Sequence, residues 1–221
     1  MINTNFQFTP DETQFNKFHN LDSVESRIIN FLKDTNTDDC NRMWKLLKYP
    51  DVKALYKDNL SALDKKALIY QDRDEAACRI FTFPYVEDNF TEVCSIIKVY
   101  IHSVQPVNHL ISTVNIGIDI LTHNKISNVY NDESDVLDGG RPVEENISIK
   151  NRNTIMLKTI LSTLNGANVE GVGVLQFNKE LSDKCQAEMK LSNNRNFYGY
   201  AIVLSCQMSG IGGAVNGFSG Y

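Results

Sequence analysis

The sequence predicts an α+β fold, in which an antiparallel or mixed β-sheet carries a packed helix and follows an N-terminal helical region. Two observations support this prediction. In the middle and near the end of the chain, apolar and often β-branched side chains recur at every second residue, which is typical of strands. Before and between these runs, apolar side chains recur at helical spacing. Strands grouped together along the chain, rather than alternating with helices, favour an α+β plan.

The centre of the sheet is predicted from three runs, at residues 80–84, 91–102 and 110–123. The third run alternates most clearly between apolar residues and polar or small ones: Val114, Asn115, Ile116, Gly117, Ile118, Asp119 and Ile120. Gln105 and Pro106 suit a turn, and the short connection predicts that the second and third runs are antiparallel neighbours.

Two helices are predicted ahead of the sheet. Apolar residues in the range 24–32 recur at helical spacing, and Ser23 is the expected N-cap of this helix. The next helix is expected to begin at a cap formed by Asp38 or Asp39 and to end before Pro50.

Two further helices have recognisable ends. Ser61 and Asp64 have the spacing of a capping box, with Asp in place of the usual Glu or Gln. Asn153 is the expected cap of a later helix, and Gly166 is expected to end that helix in the left-handed conformation. A strand at residues 171–177, a charged stretch and a last strand at residues 197–208 complete the predicted domain.

We expect three regions: an N-terminal arm and helical region at residues 1–78, an α+β domain at 79–208 and a glycine-rich tail at 209–221. Residues 124–151 form the most loop-like stretch, and loops of this length are usually functional, disordered or structured by contacts. The first segment, which holds four phenylalanines, is expected to dock either on its own domain or on a neighbour. The candidate contacts with other subunits or partners are Phe6, Phe8, Asp132, Glu133, Asp135, Asp138, Arg141, Phe218 and Tyr221.

Composition restricts the function classes. The net charge of −5 provides no general cationic field for nucleic acid. The five cysteines are widely spaced, form no CxxC pair and follow no secretory signal, so we expect reduced thiols. No apolar run approaches the roughly 18–20 residues that span a bilayer, so we expect no membrane association.

The usual catalytic and ligand-binding motifs are not found. The glycine-rich stretches at Gly171 and Gly210 do not complete a dinucleotide fingerprint, and neither a Walker motif nor a Gly-x-Ser-x-Gly elbow occurs. The acidic stretch at residues 131–140 does not have the ligand order of a calcium loop. We therefore expect no catalytic residue and no cofactor.

The histidines do not have the spacing of a metal site. Asp119 and His123 share a strand face, but four residues along a strand separate them by roughly 13 Å. We therefore expect no metal. If the protein were an enzyme, Asp119, His123 and His102 at the strand ends would be its best candidate residues.

Several short stretches resemble proteins of phage necks: residues 79–86, 118–124, 141–143, 161–166, 171–177 and 197–200. Together with the order of the elements, they make residues 79–208 similar to the head–tail joining and tail terminator proteins of tailed bacteriophages. The helical region before residue 78 departs from a minimal tail terminator.

The resemblance implies a structural virion protein, without catalysis, that forms a closed ring in the neck, often of six or twelve copies. Its neighbours would be copies of itself, portal or connector proteins and tail proteins. Phage DNA would pass through without sequence-specific binding, which suits an acidic subunit, and assembly would take place in the host cytoplasm. Two alternatives stay open: another tail, connector or portal-ring assembly protein, and a small enzyme with an unrecognised site.

Overall fold

The structure, a computed structural model, describes residues 21–71, 77–84, 92–108, 111–130, 149–186 and 196–209. The helices are α1 (Val24–Asp34), α2 (Asp38–Lys48), α3 (Ala62–Ala67), α4 (Arg152–Leu164) and α5 (Lys179–Gln186). The strands are β1 (Ile80–Phe81), β2 (Ser95–Pro106), β3 (Ile111–His123), β4 (Asn128–Tyr130), β5 (Ile149–Asn151), β6 (Asn168–Val169), β7 (Gly173–Val174), β8 (Gln176–Phe177) and β9 (Phe197–Ser209). Short 3-10 turns occur at Leu21–Ser23, Ala54–Tyr56 and Asn124–Ile126.

The main sheet has five strands in the order β1-β2-β3-β9-β8. β1 is parallel to β2, whereas the other neighbours are antiparallel. β3 lies at the centre and pairs with β9 along its whole length. β4–β5 and β6–β7 form two separate antiparallel ladders. The predicted α+β fold, with a mixed sheet and an N-terminal helical region, is confirmed.

One face of the sheet forms the main core with α1, α2 and α4. The apolar residues of β3 that alternate along the strand are all buried in it: Val114, Ile116, Ile118 and Ile120. Fully burying one such side chain is worth about 1.5–3 kcal/mol, so this layer is a large part of the folding energy. Because Trp44 of α2 belongs to the same cluster, the core extends across residue 78. The division of the chain into three regions stays a prediction.

The other face of the sheet is partly apolar and partly polar. At one end, a smaller buried cluster contains Cys78, Phe81, Cys94, Ile96, Leu121 and Phe197. α5 covers part of β9, where the Ser182 hydroxyl accepts a hydrogen bond from the Val203 N–H at 2.9 Å. This hydroxyl also donates to the Asn178 carbonyl at 2.6 Å, so the helix is tied to the strand by a buried polar group.

Three cysteines, Cys40, Cys94 and Cys206, are buried free thiols. Burial away from water raises the pKa of Cys94 and of Cys206 to about 12. It also raises the pKa of Cys40. These thiols therefore stay protonated at neutral pH and act as small apolar side chains.

Ser23 stands at the N-cap position of α1, as predicted, but without the expected capping bond, and the cap of α2 differs from the prediction. A 3-10 turn precedes α1, and the Ser23 hydroxyl makes no capping bond; it accepts from Arg27 Nε at 3.0 Å instead. α2 is capped by Thr37, whose hydroxyl accepts the Cys40 N–H at 3.3 Å. The predicted caps at Asp38 and Asp39 are wrong, because both residues already lie in the first helical turn.

The capping box is confirmed, since the Asp64 N–H donates to the Ser61 hydroxyl and the Ser61 N–H donates to the Asp64 carboxylate. The cap of α4 is Asn151 rather than the predicted Asn153. Asn153 is inside the first turn and donates to the Tyr198 carbonyl at 2.9 Å. Gly166 has a φ of 84°, as the prediction of a left-handed helix end requires.

The strand boundaries also differ at several points. Gln105 and Pro106 are the last residues of β2 and pair with β3, so the predicted position of the turn is wrong. The observed turn begins at Val107. The predicted strand at residues 171–177 is interrupted at Leu175, whose N–H donates to the Ala167 carbonyl at 2.9 Å and whose carbonyl accepts the Gly166 N–H at 2.7 Å. β7 and β8 are therefore separate and pair with different strands.

Four elements were not predicted: β4, β5, β6 and α5. The two ends of the long loop pair with each other as β4 and β5, which are too short to show an alternating pattern. α5 occupies the start of the charged stretch before the last strand.

We predict that Gly199→Ala destabilises the fold more than Gly117→Ala does. A Cβ at Gly199 would overlap the carbonyl oxygen of Ile120, whereas a Cβ at Gly117 would meet the ring of Tyr100. A backbone atom in a paired strand cannot move aside as a side chain can. We therefore expect the free energy of unfolding, measured with urea, to fall by about 3 kcal/mol in Gly199→Ala and by about 1 kcal/mol in Gly117→Ala. Equal losses would contradict the close approach of β3 and β9.

Candidate functional site

The antiparallel ladder of β4 and β5, here called the stem, holds both ends of residues 131–148. Tyr130 pairs with Ile149 at the end of the stem next to that segment, and Asn128 pairs with Asn151 at the other end. The stem is also bound to the preceding part of the chain, because the Tyr130 N–H donates to the Val52 carbonyl at 3.0 Å.

Arg152 fastens the base of the stem to the core. Its side chain is fully buried, and its backbone N–H donates to the Ser127 carbonyl at 2.8 Å. The guanidinium donates to four backbone carbonyls: Ile126 at 3.0 Å, Leu46 at 2.6 Å, Tyr49 at 2.9 Å and Asp51 at 2.7 Å. One side chain thus joins the end of α2, the segment after it and the turn before β4.

The electrostatics of this site explain why an arginine is placed there. Burial lowers the pKa of Arg152 to about 10, so the guanidinium stays charged at neutral pH. The carbonyls of Leu46 and Tyr49 belong to the C-terminal end of α2, where unsatisfied carbonyls and the helix dipole favour a cation. The guanidinium has five donors spread over a planar fork, so it can reach four separated carbonyls, whereas a lysine has three donors on one nitrogen.

The stem and the neighbouring segment after α2 each present one apolar side chain to solvent beside this anchor. Ile149 is 47% exposed and Val52 is 42% exposed. Both lie next to Tyr130, through strand pairing and a backbone hydrogen bond respectively. The arrangement suits a contact surface rather than a catalytic site.

A second candidate site is a polar row on the face of the sheet opposite the main core. Lys98 Nζ lies 3.4 Å from Asp119 Oδ2 and donates to the Pro84 carbonyl at 2.8 Å. The Tyr100 hydroxyl donates to Asp119 Oδ1 at 3.2 Å. Gly117 leaves room for the Tyr100 ring, which lies where a Cβ would be. Lys98 and Asp119 are almost fully buried. The polar groups of the three side chains therefore contact one another rather than solvent.

Burial governs the acid–base behaviour of this row. Loss of water raises the pKa of Asp119, while the Lys98 charge and the Tyr100 hydrogen bond act in the opposite direction. An acid with a raised pKa and a neighbouring lysine is the kind of pair found in active sites, but also in structural ion pairs. Here each charged group has its partner inside the network.

The structure does not bring together the three residues named for a catalytic role. His102 is exposed near the bulge of β2. His123 is at the end of β3, where its ring packs edge-on against Phe197 and its Nδ1 accepts the Lys125 N–H at 3.2 Å. Across the described ranges, no group of three His, Cys, Asp or Glu residues could hold a metal ion.

The nine predicted contact residues lie outside the residues that the structure describes: Phe6, Phe8, Asp132, Glu133, Asp135, Asp138, Arg141, Phe218 and Tyr221. These predictions stay untested. Sequence reasoning missed Arg152 and Lys98. The available signal was weak: a charged residue beside a helix cap and another in an apolar strand run.

The family model described as YomW matches residues 41–206, which is more than half of the chain and includes the stem, Arg152 and the polar row. The chain belongs to the YomW family. This family name comes from a Bacillus phage-derived protein, so the chain is a phage-associated protein.

Neither the curated proteins nor the solved structures gave a match to this YomW-family chain. Among its described residues, no helix is long and apolar enough to cross a membrane.

We predict that Arg152→Met lowers the free energy of unfolding by roughly 3–5 kcal/mol, because it leaves buried carbonyls without their donor. Arg27→Met is the matched control. Arg27 is partly exposed and donates to the Ser23 hydroxyl and the Glu170 carbonyl, so we expect about 1 kcal/mol. Urea unfolding of both variants measures the difference. Similar decreases in the free energy of unfolding for the two variants would contradict the proposal that Arg152 anchors the stem.

We predict that the Lys98–Asp119 pair behaves as a structural ion pair. Lys98→Met leaves a buried carboxylate alone and is expected to cost roughly 3–5 kcal/mol at pH 7, whereas Lys98→Met with Asp119→Leu recovers most of that loss. Because the pKa of Asp119 is raised above its ordinary value of 3.8, its contribution to stability is present below that pH. The contribution is lost as pH rises through the folded-state pKa.

Removing the Lys98 charge raises the pKa of Asp119 further. In the Lys98→Met variant, the loss of stability with rising pH therefore extends to higher pH. Carbon-13 NMR titration of the Asp119 carboxyl measures the shift. An unchanged pKa would contradict the pairing.

Proposed function

We propose that this phage-associated protein is a non-enzymatic structural component of the virion, which forms a closed ring in the neck of a tailed phage. The ring, of six or twelve copies, joins the portal vertex to the tail. Its partners are copies of itself, portal or connector proteins and tail proteins, and phage DNA passes through it without sequence-specific binding.

The observation that carries this proposal is the anchored stem. A ring subunit needs a stiff body and a segment that reaches its neighbour. β4 and β5 hold both ends of residues 131–148, and Arg152 ties the turn at the base of the stem to the end of α2 and to the segment after that helix. A contact made by that segment is thereby transmitted to the body of the subunit.

The charge distribution supports the same proposal. Residues 131–148 contain six acidic residues and one basic residue, a net charge of −5. The whole chain has 27 acidic and 22 basic residues, so the remaining residues have 21 of each and no net charge. The segment therefore holds the full net charge of the protein. Concentrated charge at a contact segment favours a specific orientation and a fast encounter with a complementary surface.

The polar row favours a structural role over a catalytic one. Lys98, Asp119 and Tyr100 satisfy one another within the sheet, whereas the His102 side chain is exposed and the His123 ring packs against Phe197. A buried ion pair of this type helps to fix strand register, because the two residues lie directly opposite each other in β2 and β3.

The test is the mass of the purified protein by light scattering, followed by negative-stain microscopy. We expect closed rings, either of the protein alone or after addition of purified phage portal rings or tails. The variant D132N/E133Q/D135N/D138N removes four charges from the acidic segment and is expected to reduce ring formation at least tenfold.

The matched control is D22N/D58N/E92Q/D183N, which removes four exposed acids elsewhere on the chain. It is expected to assemble like the wild type. A protein that stays monomeric and binds neither portals nor tails would overturn the proposal. Binding to tail tubes or portals without ring closure would instead identify another tail, connector or portal-ring assembly protein.

A further inference from the structure

A groove runs along the outer side of α1. It consists of two open depressions of about 490 and 390 Å³, which share Phe31 and Thr35. The first continues toward the start of α2 and the end of α4, and the second toward the turn after β6. Each depression has the volume of a small-ligand site, and together they form an elongated surface.

The lining has one aromatic side chain, several hydroxyls and an acidic rim. Phe31 is half-buried and common to both depressions. The hydroxyls are those of Thr35, Thr37, Ser162 and Thr163. The charged lining residues are Arg27, Asp34, Asp38, Asp39 and Glu170, so the groove has one base and four acids.

The single base does not neutralise the rim. Arg27 donates from Nε to the Ser23 hydroxyl and from Nη1 to the Glu170 carbonyl, so it is held along the wall of the groove. It also lies against Gly171, where a side chain would overlap the guanidinium. Arg27 therefore shapes the groove, and the net charge of its lining is −3.

Helix stability explains only half of this acidity. Asp38 and Asp39 are in the first turn of α2, where the helix dipole favours negative charge. Asp34 is at the end of α1, where the dipole disfavours negative charge. Its carboxylate lies 3.4 Å from Lys33 Nζ, but its side chain is 71% exposed, and an exposed ion pair of this kind is worth little. Glu170 is an exposed residue outside any helix. Neither Asp34 nor Glu170 stabilises a helix end.

We propose that this groove binds a cationic segment of a partner protein, with lysine or arginine side chains on both sides of one apolar side chain. The acids at both ends of the groove complement the cationic groups. Phe31 offers an apolar contact, and its ring face also attracts a cation. This interaction surface is separate from the stem and does not depend on ring formation.

The probe is a fluorescein-labelled peptide of eight residues that alternates lysine with leucine and has one central phenylalanine, added to the full-length protein. Fluorescence anisotropy gives its Kd at low and physiological ionic strength. Variant D34N/E170Q removes two groove acids, and D58N/D183N removes two exposed acids elsewhere. Both variants change the net charge equally.

We expect D34N/E170Q to weaken binding about 2- to 25-fold, since an exposed charge pair is worth about 1.4- to 5-fold in affinity. D58N/D183N should leave the Kd within about 1.5-fold of wild type, and added salt should weaken the wild type more than D34N/E170Q. Thermal unfolding confirms that both variants fold.

Equal weakening by both variants would overturn the proposal, because the peptide would then respond to net charge alone. Absence of binding by the lysine peptide would also overturn it. A synthetic peptide of residues 1–20 that binds the groove in its place would identify that segment as the occupant and reject a cationic partner. Each of these outcomes is independent of whether rings form.

Discussion

The fold depends on one constraint: β3 is buried on both faces and paired on both edges. All thirteen of its residues pair with β9, eleven also pair with β2, and eleven are buried, so little of the strand can turn to water. Most apolar positions belong to the main core, and buried polar positions are costly unless they find partners within the sheet. The buried Ser112 hydroxyl is an exception, with no hydrogen-bond partner among the described residues. Asp119 obtains Lys98 and Tyr100, and Asn115 donates to Ser103 and accepts from Ser205.

The same requirement for internal partners explains the anchor below the stem. The end of α2 and the following turn leave several carbonyls in a buried place, and Arg152 donates to them from the start of α4. A cation at the first position of a helix is unfavourable for that helix, because the dipole there is positive. Arg152 thus stabilises the end of α2 and destabilises the start of its own helix. Its hydrogen bonds connect parts of the chain that are distant in sequence.

The parts of the fold that could be predicted from the sequence are those determined by residues close together in the chain. β3 and β9 follow from their period of two, and the box at Ser61 and Asp64 needs only four neighbouring residues. The caps at Thr37 and Asn151 were missed by one or two positions, since several oxygen-bearing side chains stand side by side there. Arg152 could not be predicted as an anchor, because its acceptors lie about a hundred residues away or in another loop. The parallel pairing of β1 likewise depends on a distant partner that no local pattern specifies.

The buried cysteines have a consequence for chemical durability. With a pKa of about 12, fewer than about one in ten thousand of the Cys94 and Cys206 thiols is ionised at neutral pH. Thiolates, not thiols, react with oxidants and disulfides, so these side chains are almost inert. In the virion role proposed above, the protein would leave the reducing interior of its host when the cell lyses. In air-saturated medium, these two thiols would resist oxidation without a reductant and without forming a disulfide.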